Sequence, residues 1–255
     1  MHPHVLVFGG NGFVGSSVVA ALLRRGALVT CVSRSGAAPA GGIPGSTHFR
    51  ATKALTDVRY VRGDLLDAES SWAQGALEPG QFYGAVSCVG AFGTDLEMER
   101  LCGDTTVNAA RLCARLGARR FSFVSAAGVD NPGVMGLPLA GYFRGKAKAE
   151  AAVLGGAFGR GGGTVLRAPF VHGDRTLGGV RLPLSLLGAP MEAVLGSSPF
   201  RALSRMVPAL STPLAVPIAV GDLAECATEC VLGDRFSGVL ERDSLAAAAA
   251  AGRAQ

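Results

Sequence analysis

Apolar and polar positions along the first two-thirds of the chain switch repeatedly between a strand period and a helix period. Strand-type runs occupy Val5–Phe8, Ala27–Ser33, Val58–Leu65, Tyr83–Gly93, Phe121–Gly128 and Gly163–Gly173. Helix-type patterns fall between them at Ser16–Arg25, Leu65–Leu77 and Leu96–Leu116, and again from Tyr142 onward. Strand and helix in alternation predict an α/β fold, a doubly wound parallel sheet with right-handed crossovers. Beyond Gly173 the alternation stops. Short apolar segments at Leu182–Leu187, Glu192–Leu195 and Phe200–Leu210 are separated by Pro and Gly. Pro213–Ala219 reads as a strand, Val220 opens a helix with Asp222 as its cap, and Leu245–Gln255 reads as a frayed alanine-rich helix or tail. The expected organisation is a Rossmann domain over residues 1–173 and a small lobe over 174–255. That lobe would cover the carboxyl edge of the sheet within a single structural unit.

The first strand leads straight into Gly9, Asn11, Gly12, Phe13, Val14 and Gly15, with the first helix beginning inside the turn. Glycines three apart between a strand and a helix suit a dinucleotide pyrophosphate. Gly9 makes the turn, Gly12 lets backbone approach phosphate oxygens, and Gly15 lets helix and strand pack, while the first helical N–H groups point at the anion. The second strand ends in Ser33, Arg34 and Ser35, where an acidic residue would select the 2′-hydroxyl of NAD. An arginine there accepts the 2′-phosphate of NADP instead, which favours NADP, with NAD as the alternative. Asp64 and Leu65 follow the third strand at the adenine end. Val89 and Gly90 close the fourth with room for the nicotinamide half, and Pro169 bounds the turn after the sixth.

Tyr142 and Lys146 stand four apart on one helical face. An ammonium beside a phenol stabilises phenolate, lowering the tyrosine pKa so that it can exchange a proton with a substrate oxygen, and the same lysine can hold the nicotinamide ribose. Ser125, at the end of the fifth strand, is the candidate for orienting that oxygen.

Composition narrows the partners. The 24 Lys and Arg against 19 Asp and Glu are scattered along the chain, so its net charge of +5 does not mark a nucleic-acid surface. Charged residues are only 17% of the chain, which suits association with a membrane surface, a lipid-droplet-like surface or an assembly. Gly, Pro, Arg or Asp interrupts every apolar stretch before it reaches the length of a transmembrane span. No secretory leader pattern precedes the first strand. The six cysteines form no C-x-x-C pair and read as reduced core thiols. Cys226 and Cys230, four apart, have no His or further Cys nearby to complete a metal site, so no metal is expected.

Gly9, Gly12 and Gly15, the Gly63-Asp64-Leu65 run, Tyr142 with Lys146, Leu166-Arg167 before Pro169, and Val220 with Asp222 together resemble atypical short-chain dehydrogenases/reductases. The likeness spans nearly the whole chain. It is nearest to plastid-associated Rossmann proteins of plants and algae, to a fungal mitochondrial ubiquinone-biosynthesis factor, and to the Rossmann accessory subunit of respiratory complex I. The resemblance implies NAD(P) binding in an organelle, the chloroplast ahead of the mitochondrion, in quinone-related metabolism. It also implies that Asn108 supports Lys146 through a bridging water. Two departures stand out. Ala126 and Ala127 follow Ser125 where catalytic relatives carry a second hydroxyl, and the organellar targeting extension usual in the plant relatives is missing. The residues therefore speak more directly for cofactor binding than for turnover. An NADPH-dependent reductase of a carbonyl or quinone-like small molecule leads. A retired enzyme holding its cofactor inside a membrane-associated complex comes second, and a nucleotide-sugar epimerase or dehydratase third.

Overall fold

The computed structural model describes residues 2–39, 42–43, 58–67, 72–131, 139–159, 161–177, 180–183 and 216–254. In β1 (His4–Phe8) successive side chains point to opposite faces, and Val5, Leu6, Val7 and Phe8 are all fully buried. A strand apolar on both faces needs a helical layer on each side, and the chain supplies them in turn. The Gly turn leads to α1 (Phe13–Arg24), and the chain returns through β2 (Leu28–Ser33), β3 (Val58–Arg62) and β4 (Gly84–Ser87). It continues through α2 (Asp95–Glu99), α3 (Thr105–Arg115), β5 (Arg120–Ala126), α4 (Ala140–Leu154) and β6 (Gly163–Ala168). The later elements are β7 (Val171–His172), β8 (Asp174–Leu177), β9 (Val180–Pro183), β10 (Ile218–Ala219), α5 (Val220–Leu232), β11 (Gly238–Leu240) and α6 (Arg242–Arg253).

Seven strands form one parallel sheet in the order β3-β2-β1-β4-β5-β6-β11. The order reverses direction between β1 and β4, and that switch point opens a crevice at the carboxyl edge. On one face Val5, Val7, Cys31 and Leu166 pack under Val18 and Leu22 of α1, Leu223 and Ala227 of α5, and Leu245 of α6. On the other, Leu6, Phe8, Phe121 and Phe123 pack under Leu112 and Cys113 of α3 and Ala149 and Val153 of α4. This is the doubly wound α/β architecture that the alternation predicts. Outside the sheet β7 pairs with β10 in parallel, and β8 with β9 as a hairpin.

Several local expectations need correction. In place of a helix over Leu65–Leu77 there is a 3-10 turn at Leu65–Asp67, and residues 72–77 form turns. Gly75 sits at φ +74, a conformation no right-handed helix contains. The helix expected over Leu96–Leu116 is interrupted by a π-helical turn at Arg100–Asp104. It begins at Asp95 because Thr94 and Glu97 form a reciprocal capping box. Asp222 lies in the first turn of α5, not at its cap, which is Ala219, and its carboxylate pairs with Arg253 of α6.

The C-terminal segment is no frayed tail. Gly252 packs on the Glu225 carbonyl, where an added Cβ would stand 3.1 Å away, and Leu245, Ala248 and Ala249 are buried between α6 and its neighbours. With β11 beside β6, the last forty or so residues complete the sheet layer and do not belong to a covering lobe. Most of the lobe segments lie outside the described residues: 184–187, Glu192–Leu195, Phe200–Leu210 and 213–215. The same holds for 132–138 in the loop before α4. Among the described residues no helix is long and apolar enough to cross a membrane.

Leu245 separates a packed terminus from a frayed one. Leu245→Ala should lower unfolding free energy by about 2–5 kcal/mol in urea denaturation, the usual cost of emptying a fully buried leucine site; a change within about 0.5 kcal/mol, normal for surface positions, would describe a tail.

Candidate active site

The crevice is lined by the turns that leave the carboxyl ends of the strands. At β1, Gly9 adopts φ +76 and its amide donates to the Val32 carbonyl at 3.0 Å, which ties the turn to β2. The Gly12 amide donates back to the Gly9 carbonyl at 3.0 Å, and the first helical bond runs from Ser16 N–H to the Gly12 carbonyl at 2.9 Å. A Cβ on Gly15 would lie 2.1 Å from the Gly9 carbonyl oxygen, so only glycine lets α1 begin this close to β1. Gly12 caps the helix without any side-chain bond, and helix geometry leaves the Val14 and Gly15 amides without intrahelical partners. The Phe13 ring, on the first residue of α1, lies against Gly173, 3.3 Å from where a Cβ there would stand. The result is a side-chain-free cradle of backbone donors at a helix N-terminus, which fits a pyrophosphate.

Along the β2–β3 edge Ser33 is half-buried and Arg34 exposed, and among the described residues Arg34 has no ion-pair partner. Asp64 is exposed, and its Oδ1 accepts the Leu66 amide at 3.0 Å, capping the short turn that buries Leu65. The Asn108 side chain reaches the same turn and donates to the Leu65 carbonyl at 2.8 Å. Asn108 is thus joined to the turn after β3, and this is a different use of its amide from the expected support of Lys146. Pro169 is buried after β6.

At the ends of β4 and β5 the crevice is bounded by α4, and two glycines bring that helix down. A Cβ on Gly141 would fall 1.9 Å from the Asp95 carbonyl oxygen, and one on Gly145 would fall 2.8 Å from that of Glu99. Gly103, in the π turn, faces Gly145 at comparably short range. Backbone-to-backbone contact lays Tyr142 and Lys146 over the ends of β4 and β5. Lys146 is only 3% exposed, and its Nζ donates to the Val124 carbonyl at 2.8 Å and the Val89 carbonyl at 3.2 Å. Gly90 leaves space beside it: a Cβ there would come 3.7 Å from the same nitrogen. An ammonium has three protons, so one donor is left for a ribose hydroxyl. Burial pushes the Lys146 pKa down to about 8, against the opposing pull of Cys102, Cys88 and Glu150.

Tyr142 departs from expectation. Its pKa is pushed up to about 12, first by burial and then by the Cys102 thiol, although Lys146 Nζ lies 5.6 Å from the ring centre. Desolvation of the phenolate outweighs the neighbouring cation, whose own charge is weakened by the same burial. Phe92, 76% exposed, stacks on the Tyr142 ring at 5.6 Å and 13°, and Phe143 meets it edge-on. Ser125 also departs: its hydroxyl donates to Glu150 Oε1 at 2.6 Å in a buried contact, so its proton is committed away from the crevice.

Three residues at this site are given no role by sequence reading. Glu150 continues the helical face of Tyr142 and Lys146 by one more turn, 5% exposed, and receives Arg167 through a forked contact with Nη2 at 2.9 Å. Arg167, opposite Ser125 in the β5–β6 register, also bonds Asp130 and Glu241, and these carboxylates, Glu150 foremost, raise its pKa. The four-residue step from Lys146 to Glu150 was visible in the sequence. Cys102 was not predictable, because only the π turn brings its sulfur to the Ala91 carbonyl at 3.4 Å and amide at 3.5 Å. Cys226 and Cys230 lie in α5 as buried free thiols, and no cluster of metal-ligating residues occurs among the described residues.

A family model described as NAD(P)H-binding matches residues 9–155, which contain the glycine turn, Tyr142 and Lys146. The chain belongs to this NAD(P)H-binding family. Among relatives of this NAD(P)H-binding chain is an uncharacterized chloroplastic protein of Arabidopsis thaliana, 33% identical over 251 residues, 98% of this chain and 78% of the relative. The chloroplastic divinyl chlorophyllide a 8-vinyl-reductase of Oryza sativa subsp. indica is 34% identical over 131 residues, 50% of this chain and 31% of its own length. Among solved structures, a Bacillus halodurans protein assigned as an NAD-dependent epimerase/dehydratase shares the fold. It has a TM-score of 0.61 at 15% identity, over 98% of this chain and 99% of that one.

The sign of the Lys146 shift can be measured. Its folded pKa lies below its ordinary 10.5, so between about pH 8 and 10.5 the unfolded chain binds the extra proton, and folding stability gains from Lys146 as pH rises through that window. In urea unfolding from pH 7 to 10, the wild type should gain on Lys146→Met by up to about 3 kcal/mol. A constant difference would mean that Lys146 titrates as it does in water.

Proposed function

We propose that this chain is a plastid NADPH-dependent reductase that delivers hydride to a carbonyl or quinone-like acceptor at the crevice, with Tyr142 as proton donor. The observation that carries this reading is the Tyr142 phenol, held protonated by burial beside a cation at the nicotinamide end. A group with a pKa near 12 is poor at taking a proton from an alcohol near neutrality. It can still give one to an alkoxide, which is far more basic, so the arrangement favours the reductive direction. NADPH, when bound, supplies the hydride. Gly9, Gly12 and Gly15 would hold the pyrophosphate, the remaining Lys146 donor the nicotinamide ribose, and Arg34 the 2′-phosphate. The side-chain-free cradle at Gly15 and the space beside Gly90 fit that group. Balance is simple: the acceptor carbon gains hydride, its oxygen gains the Tyr142 proton, and water restores the phenol. Two chloroplastic relatives, one named as a reductase, support the compartment and the reaction class. A link to isoprenoid-quinone metabolism rests on the resemblance alone.

A second reading has its own observation. With the Ser125 proton given to Glu150 and Phe92 stacked on Tyr142, the site can hold a dinucleotide without turning it over, as a retired subunit of a membrane-associated complex would. Fold likeness to an epimerase/dehydratase carries no substrate with it, so a nucleotide-sugar reaction gains nothing further.

Tyr142→Phe decides between the two. NADPH oxidation by menadione or an aromatic aldehyde should fall by roughly 10²–10⁴-fold, the span of a lost general acid, while NADPH affinity by fluorescence titration stays within about twofold. Turnover absent from both proteins while NADPH still binds favours the dinucleotide-holding role, and equal turnover in both removes Tyr142 as the proton donor.

A further inference from the structure

The ends of β2 and β3 bring Arg34 and Arg62 onto neighbouring stretches of backbone. Ser33 is the register partner of Arg62, and the Gly63 amide donates to the Ser33 carbonyl at 3.0 Å. Partners in a parallel ladder project to the same face, so Ser33 and Arg62 leave the sheet side by side. The turn after Ser33 then folds back onto Arg62. A Cβ on Gly36 would meet the Arg62 Cβ at 2.7 Å and its amide nitrogen at 2.8 Å, so Arg34 and Ser35 sit on a loop pressed against Arg62.

Hydroxyls fill the space between. Ser33 Oγ accepts the Gly36 amide at 3.2 Å, and Ser35 Oγ accepts Asn11 Nδ2 at 3.0 Å and the Ala37 amide at 3.3 Å. The two serine oxygens are 3.3 Å apart, and each carries one proton. Only one proton can serve the contact between them, so the other points outward as a donor. Asn11 comes from the glycine turn, which ties this cluster to the pyrophosphate cradle. Arg34 and Arg62 are both exposed, and among the described residues neither has an ion-pair partner. Two cations, one on the β2 turn and one at the end of β3, with a spare hydroxyl donor and, among the described residues, no ion-paired carboxylate, match a phosphate dianion in charge and in hydrogen-bond sense.

We propose that Arg62 is the second arm of a clamp for the 2′-phosphate of NADP(H). Arg34 closes it from the β2 turn, the Ser33–Ser35 pair donates its one spare proton into it, and Asn11 fixes its position relative to the pyrophosphate. Arg62 is thereby a specificity-determining residue placed by strand register and not by any motif. The inference rests on the NADP(H) reading of the crevice, and the test separates the two.

Isothermal titration of the full chain with NADP⁺, NAD⁺, adenosine 2′,5′-bisphosphate and 5′-AMP reads the clamp without any turnover. Arg62→Ala should weaken NADP⁺ and the bisphosphate by roughly tenfold and leave NAD⁺ and 5′-AMP within about twofold, the size of one charge-assisted contact. Arg62→Lys should recover part of the loss, keeping the charge without the fork. In the wild type, NADP⁺ affinity should fall more steeply with ionic strength than NAD⁺ affinity, a comparison that needs no variant. Equal weakening of both dinucleotides, equal salt slopes, or no effect of Arg62→Ala overturns the clamp. If Arg34→Ala abolishes the NADP⁺ preference while Arg62→Ala keeps it, the NADP reading stands and Arg62 has no part in it. A wild type that binds neither dinucleotide overturns the underlying reading itself.

Discussion

No atom can stand between Gly15 and the carbonyl of Gly9. That contact sets where α1 begins, how closely it lies on β1, and how far the chain must turn in between. The cradle of backbone donors is a by-product of this closeness: a helix started one turn later would leave the crevice lined by side chains. The packing of α1 under α5 and α6 inherits the same placement, since Val18 and Leu22 reach Leu223 and Leu245 only from a helix seated this low. Cofactor site and core on that face are therefore one piece of geometry.

The opposite face repeats the device with different partners. Gly141 and Gly145 set α4 on α2 and the π turn, and the helix face exposed to the sheet carries Tyr142, Lys146 and Glu150 in consecutive turns. The three do different work. Tyr142 is kept neutral and Lys146 is partly discharged by burial, whereas Glu150 keeps a bidentate arginine and takes the Ser125 proton. A low-dielectric site cannot hold three free charges, and here it resolves them into a phenol, an ammonium held on backbone carbonyls and an ion pair.

Much of this was legible in advance because it is local. A strand ending in glycines, a helix with residues four apart and a strand ending in Ser33 and Arg34 are short-range statements, and the parallel sheet follows from alternation. What escaped is tertiary. The hydroxyl of Ser125 is taken by a carboxylate 25 residues later, and the shift of Tyr142 is set by burial, which no spacing reveals. The Leu65–Leu77 pattern is apolar at helical intervals but is governed by the Gly75 backbone and by Trp72, whose ring covers Gly63. Beyond Gly173 the elements that complete the sheet are too short for periodicity to speak: β11 is three residues long, and its pairing with β6 is fixed only once the chain has crossed back.

That late pairing bears on synthesis. Until Gly238–Leu240 leaves the ribosome, β6 is an open edge whose backbone groups have no neighbour on one side, and Val165 and Leu166 belong to a strand that could pair with another chain. The nucleotide-facing half can assemble from its own local contacts well before then, but β6 gains its neighbour only after the chain has passed Leu240. A nascent chain stalled before Gly238 would carry a nearly finished glycine cradle on a sheet whose β6 still lacked its outer neighbour.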